Sequence, residues 1–153
     1  MKILVPIDGS PCSRATIEEL CRHTWPANSE IKVITVIHVG GPEVFDPMMM
    51  ASSFHFDLLA EARKHAPKLV EGAAQTIMER TKDVKVTYEV LEGVPKEEIV
   101  GQAEYWGADL IVLGSHGHGP VGRFFLGSVS HAVAMHAPCS VQIVRKRAET
   151  KVG

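Results

Sequence analysis

Short apolar runs rich in β-branched residues alternate along this chain with stretches of helical periodicity, and that alternation leaves few folds open. Lys2–Ile7 (KILVPI) is the first run, closed by the turn and helix-start signal Asp8-Gly9-Ser10-Pro11. A helical pattern from Cys12 to about Trp25 follows, with Ala15, Ile17, Leu20 and Cys21 on one face. Glu30–Val39 (EIKVITVIHV) is the second strand, and Gly40-Gly41-Pro42 breaks it. Beyond a loop holding Met48-Met49-Met50, residues 56–81 read as a long helix in which Pro67 argues for a kink or a late start. Val84–Leu91 is the third strand, and a helix from Pro95 to about Trp106 leads to the fourth, Ala108–Leu113. A helix over Ser128–His136, stopped by Ala137-Pro138, precedes the fifth strand, Cys139–Arg145.

The patterns also order the strands. The first, second and fourth are nearly continuous apolar runs, as expected where helices cover both faces. The third alternates Val84, Val86, Tyr88 and Val90 with Lys85, Thr87 and Glu89, and the fifth alternates more weakly, so both belong at edges. With right-handed crossovers these constraints predict an α/β fold: one doubly wound, five-stranded parallel sheet in the order 3-2-1-4-5, with helices on both faces. A length of 153 residues fits a single domain spanning 1–153. In that order the chain reverses direction between strands one and four, where open α/β sheets bind ligands.

The segment that follows strand four, GSHGHGPVGRFFLGS (114–128), holds five of the thirteen glycines. It is no P-loop, because no lysine occurs from 114 to 145. A literal GxGxxG spans residues 117–122, but Pro120 and Gly122 interrupt the helix that a dinucleotide fingerprint needs, and residues 139–147 contain no acid. What remains is a glycine-rich loop carrying His116, His118 and Arg123, then a helix opening at Gly127-Ser128-Val129-Ser130. Unpaired N–H groups at a helix start, with the positive end of its dipole, favour an anion, and Ser128 and Ser130 could add hydroxyl donors.

A formal charge of -2 gives no basis for nucleic-acid binding. No stretch approaches the roughly 20 apolar residues of a membrane span, and the N-terminus lacks the layout of a secretory signal, so a cytoplasmic protein is expected. Cys12, Cys21 and Cys139 form no CxxC pair and read as reduced thiols.

Gly114-x-x-Gly117, nine residues, then Gly127-Ser128 resembles the G-2x-G-9x-G-(S/T) signature of the ATP-binding branch of universal stress proteins. KILVPIDGS, GVPKEEIV, ADLIVLGSHG, LGSVSHAV and APCSVQIVR carry the likeness across nearly the whole chain. The resemblance implies a Rossmann-like fold of the adenine nucleotide alpha hydrolase kind. It implies that Pro6, Ile7, Asp8 and Val39 receive adenine and ribose and that Gly114 borders the ribose. His116, Gly117, Gly127, Ser128, Val129 and Ser130 would wrap the phosphates of ATP, bridged by Mg²⁺ or Mn²⁺. It further implies a homodimer formed through the last strand, residues 139–145.

Three functions stay open at this level. One is a stress-response module regulated by nucleotide occupancy; another is a slow ATP hydrolase or phosphotransferase, although no catalytic residue stands out. The third is a dimeric adaptor that binds AMP or cyclic AMP instead.

Overall fold

The computed structural model describes residues 1–40, 53–117 and 125–146. Met48 to Met50 and most of the 40–55 loop, together with His118, Arg123 and Phe124, lie outside that set. The described chain runs β1 (Lys2–Pro6), α1 (Pro11–Arg22), β2 (Ser29–His38), α2 (Ser53–Arg80), β3 (Val84–Gly93), α3 (Pro95–Trp106), β4 (Leu110–Gly114), α4 (Ser128–His136) and β5 (Ser140–Val144).

The strands form one sheet in the order β3-β2-β1-β4-β5, and every adjacent pair is parallel. This is the order that the alternation in the third and fifth strands predicted. Side chains along a strand alternate between faces, and the core divides accordingly. Ile3, Val5 and Ile7 pack with Ile31, Val33 and Val112 against Leu20 of α1 and Val70, Ala74 and Ile77 of α2. On the other face Leu4, Ile34, Ile111 and Leu113 meet Ile99 and Ala103 of α3 and Val133 of α4. All of these side chains are at most 4% exposed, so helices cover both faces of the central strands. The edge strand β3 instead turns Lys85, Thr87 and Glu89 to solvent and only half-buries Val84, Val86 and Val90, and even Tyr88 of its apolar set is 48% exposed.

Element ends depart from the sequence reading where tertiary contacts extend or trim a local pattern. β3 continues two residues past Leu91 because its register with β2 holds to His38↔Gly93. α1 stops at Arg22; the Trp25 indole then donates to the Leu20 carbonyl, 3.1 Å away, turning the chain back. α2 starts at Ser53 and passes through Pro67, so the late start is not observed. An internal proline costs a helix about 3 kcal/mol or more. The buried stripe Ala66, Val70, Ala73, Ala74 and Ile77 supplies tertiary packing that offsets it.

Two bidentate arginine–carboxylate pairs tie the long α2 to its neighbours. Arg63 reaches Glu92 of β3 at 2.7 and 2.9 Å, and Arg80 reaches Glu18 of α1 at 2.7 and 3.0 Å. Hydrogen bonds from these guanidinium groups hold the Glu18 and Glu92 carboxyls below their ordinary range. Burial pushes the Cys21 and Cys139 thiols up, and all three cysteines are unbridged. Among the described residues no helix is long and apolar enough to cross a membrane.

A carboxyl whose folded pKa is depressed stabilises the fold above its unfolded value and loses that contribution as pH falls through the folded value. The double variant Glu18→Gln/Glu92→Gln is therefore expected to melt slightly below the native protein at about pH 7. The gap should close at about pH 2 and shrink in high salt. Thermal unfolding followed by circular dichroism checks this; an equal gap at both pH values would show that the arginine pairs do not act as charges.

Candidate functional site

β1 and β4 lie side by side, yet the chain leaving β1 crosses to β2 and the chain leaving β4 crosses to β5. Their C-terminal ends therefore open a crevice between connections that run in opposite directions. A cavity of about 330 Å³ sits there.

One wall is the turn from β1 into α1. Asp8 Oδ1 accepts the Ser10 amide at 2.9 Å and the Ser13 hydroxyl at 2.6 Å, while the Asp8 amide donates to Ser13 Oγ at 2.9 Å. Ser10 is the N-cap of α1, accepting the Ser13 amide at 3.2 Å. Cap and carboxylate thus lock one another, and the aspartate is held in place before any ligand arrives.

The second wall is the segment after β4 with the start of α4. The Ser115 amide donates to the Val144 carbonyl at 2.8 Å, continuing the sheet. The Ser115 carbonyl accepts the Gly127 amide and the Ser130 hydroxyl, both at 2.8 Å. These bonds pin the beginning of α4 beside the end of β4. Gly127 caps the helix without a side-chain hydrogen bond, so the first-turn amides of Ser128, Val129 and Ser130 depend on other acceptors.

The glycines here answer to space rather than to left-handed backbone. At Gly114 a Cβ would lie 2.7 Å from Cys12 Cβ and 3.0 Å from the Cys12 carbonyl carbon. At Gly117 it would lie 2.7 Å from Asp8 Oδ2, and at Gly127 3.4 Å from both His116 Cα and Ser115 O. None of the three has a positive φ.

The third wall is apolar: Val36 of β2, Leu113 of β4, and Pro95 and Ile99 one turn apart at the start of α3. The cavity therefore joins a hydrophobic slot to the N-terminus of a nine-residue helix. His116 lines it, and its Nε2 is buried with no hydrogen-bond partner. Burying an unsatisfied polar atom costs about 1–3 kcal/mol.

Ten of the eleven residues singled out from the sequence line this cavity: Pro6, Ile7, Asp8, Gly114, His116, Gly117, Gly127, Ser128, Val129 and Ser130. Val39 does not. It lies beyond the end of β2, and its amide is spent on the Gly93 carbonyl at 3.0 Å. Val36, three residues earlier, takes the β2 place in the wall. The expected hydroxyl donor at Ser130 also needs correcting: its single proton is shared between the Ser115 carbonyl at 2.8 Å and the Gly127 carbonyl at 3.0 Å. Ser130 keeps its backbone amide for the site, and its hydroxyl builds the scaffold.

Sequence reasoning missed Ser13, Val36, Pro95, Ile99 and Leu113. Ser13 had a local signal, since a serine three residues after the N-cap is within reach of the cap. The apolar four carried no mark separating them from ordinary core residues. Among the described residues no group of three or more His, Cys, Asp or Glu side chains gathers for a metal ion.

The sequence matches the universal stress protein family over residues 1–145. It is 36% identical over 145 residues to universal stress protein MJ0531 of Methanocaldococcus jannaschii, covering 95% of this chain and 82% of that one. To universal stress protein YxiE of Bacillus subtilis it is 31% identical over 150 residues, covering 94% and 98%. The solved structure of protein MJ0577 superposes with a TM-score of 0.80 at 25% identity, covering 97% of each chain. Two solved universal stress proteins at 19% identity share the fold. One, in complex with cAMP, has a TM-score of 0.62 and coverage of 96% and 98%; the other, from Arabidopsis thaliana with AMP bound, has 0.64 and 98% and 94%. With its family match over residues 1–145 and these relatives, the chain belongs to the universal stress protein family.

Proposed function

We propose that the crevice holds an adenine nucleotide, ATP with Mg²⁺ or Mn²⁺, and that the protein is a regulatory stress-response module whose state is set by nucleotide occupancy. The observation that carries this reading is the joining, in one cavity, of an apolar slot to the N-terminus of α4, whose first turn has no side-chain cap among the described residues. An adenine ring suits Val36, Pro95, Ile99 and Leu113. Phosphates suit the α4 amides, which offer N–H donors and the positive end of the helix dipole to an anion. The buried Nε2 of His116 and the closely packed Gly114, Gly117 and Gly127 fit the same ligand, since a side chain at those glycines would fill the cradle.

Asp8 is the carboxylate of the lining, held by Ser10 and Ser13. It suits a ribose hydroxyl or a water on the ion. A magnesium ion typically takes one or two protein carboxylates and completes its shell with phosphate oxygens and water. Among the described lining residues none is Lys or Arg. Backbone dipoles and neutral donors hold phosphate groups in place, whereas efficient phosphoryl transfer adds cationic charge at the transferring group. Holding the nucleotide is accordingly the reading preferred over turnover. Because helix-start donors read charge rather than chain length, AMP and cAMP are the competitors to test beside ATP; two distant proteins of this fold bind them.

The homodimer belongs to this proposal too. β5 is a sheet edge, paired only with β4 among the described strands, and its N–H and C=O row invites a second copy. Light scattering should return about twice the chain mass of 16.7 kDa; a monomer at micromolar concentration would remove the dimer from the account.

Three glycine variants separate cradle from scaffold. Gly117→Val and Gly127→Val should weaken Mg-ATP binding by about tenfold or more, because each side chain fills space meant for phosphate. Their melting temperatures should fall less than that of Gly114→Ala, because the added side chains crowd Asp8 or the edge of the loop rather than the strand-helix packing at Cys12. Gly114→Ala should instead destabilise the fold itself by about 1–3 kcal/mol, since its methyl meets the side chain and backbone of Cys12. Calorimetric titration with a melting curve for each variant checks both statements. Undiminished affinity in Gly117→Val and Gly127→Val would contradict the cradle.

A further inference from the structure

His116 stands at the centre of a short chain of polar side chains. Its Nδ1 is 2.8 Å from the hydroxyl of Ser115, and that hydroxyl is 3.8 Å from the Cys12 thiol. Ser115 is 1% exposed, so its hydroxyl has no bulk water to turn to. On the far side of the ring, Nε2 is buried and has no partner.

A serine hydroxyl carries one proton, and here two acceptors compete for it. An imidazole nitrogen is a good acceptor, whereas thiol sulfur is a weak one and lies farther away. The Ser115 proton therefore goes to Nδ1, and the Cys12 S–H is left to point at the Ser115 oxygen. A neutral histidine that accepts at Nδ1 carries its own proton on Nε2, because the hydrogen bond at one ring nitrogen fixes the state of the other.

We propose that Ser115 is a positioning residue that locks His116 in the Nε2–H tautomer, presenting a buried N–H donor to an acceptor oxygen of the bound phosphate. The opposite tautomer would turn a lone pair towards that oxygen and repel it. The identity of the acceptor rests on the nucleotide reading above; the tautomer itself does not. Two features make the lock rigid. The Ser115 main chain is bonded to Val144, Gly127 and Ser130, and Cys12 packs directly beneath Gly114.

The test is a long-range ¹H–¹⁵N correlation spectrum of the uniformly labelled full chain without nucleotide. It is recorded at about pH 8.5, where an ordinary imidazole is neutral. The His116 signals are identified by their loss in His116→Gln. The native protein should show the Nε2–H pattern alone. In Ser115→Ala the two ring nitrogens should move towards a tautomer mixture, with Mg-ATP affinity falling about threefold. The hydroxyl takes no part in the main-chain bonds of residue 115, so the alanine variant retains them. A native Nδ1–H pattern, or an unchanged pattern in Ser115→Ala, overturns the proposal, and the native spectrum decides even if that variant fails to fold. Should the tautomer be as stated while neither Mg-ATP nor AMP binds the native protein, the lock stands and the nucleotide reading falls.

Discussion

Everything at the site depends on the parallel pairing of β1 with β4, through Ile3↔Leu110 and Leu4↔Ile111. That pairing sets two strand ends side by side while their connections leave in opposite directions, so the sheet opens where it would otherwise be covered. α1 can then place Asp8 against the loop after β4, and the Ser115 carbonyl can hold the start of α4. The apolar packing on both faces makes the pairing unavoidable. Ile3 and Leu4, adjacent in sequence and both fully buried, belong to opposite cores.

Much of this was legible in the sequence because strand patterns carry information about neighbours. Lys85, Thr87 and Glu89 could not sit in a central strand without burying charge, and β5 alternates for a similar reason. The position of the glycine segment after the fourth strand then located the crevice. What the pattern could not show is why glycine is needed there. Positive φ is found at Gly9, Gly40, Gly93 and Gly107, whereas Gly114, Gly117 and Gly127 are required by close approach to Cys12, Asp8 and His116. The contacts of Gly114 and Gly117 join residues about a hundred positions apart in sequence, and a local reading has no access to them.

The same limit explains the site residues that were missed or misjudged. Val36, Ile99 and Leu113 serve the cavity and the core at once, so their sequence context is that of any buried residue. Val39, given a site role by resemblance, lies outside the cavity lining, and its amide donates to the Gly93 carbonyl. Ser130 lines the cavity, and its hydroxyl also braces β4 against α4. Among the described residues the polar scaffold is thus built from hydroxyls and backbone groups together with the Asp8 carboxyl.

The central claim is that the crevice is occupied by an adenine nucleotide. It is tested most directly by denaturing freshly purified protein to which no nucleotide was added and identifying what it releases by chromatography and mass spectrometry. The account predicts an adenine nucleotide in near-stoichiometric amount, with ATP persisting on standing rather than turning quickly to ADP. Release of no nucleotide, together with flat titrations by Mg-ATP and AMP, would contradict it and leave the glycines as packing alone.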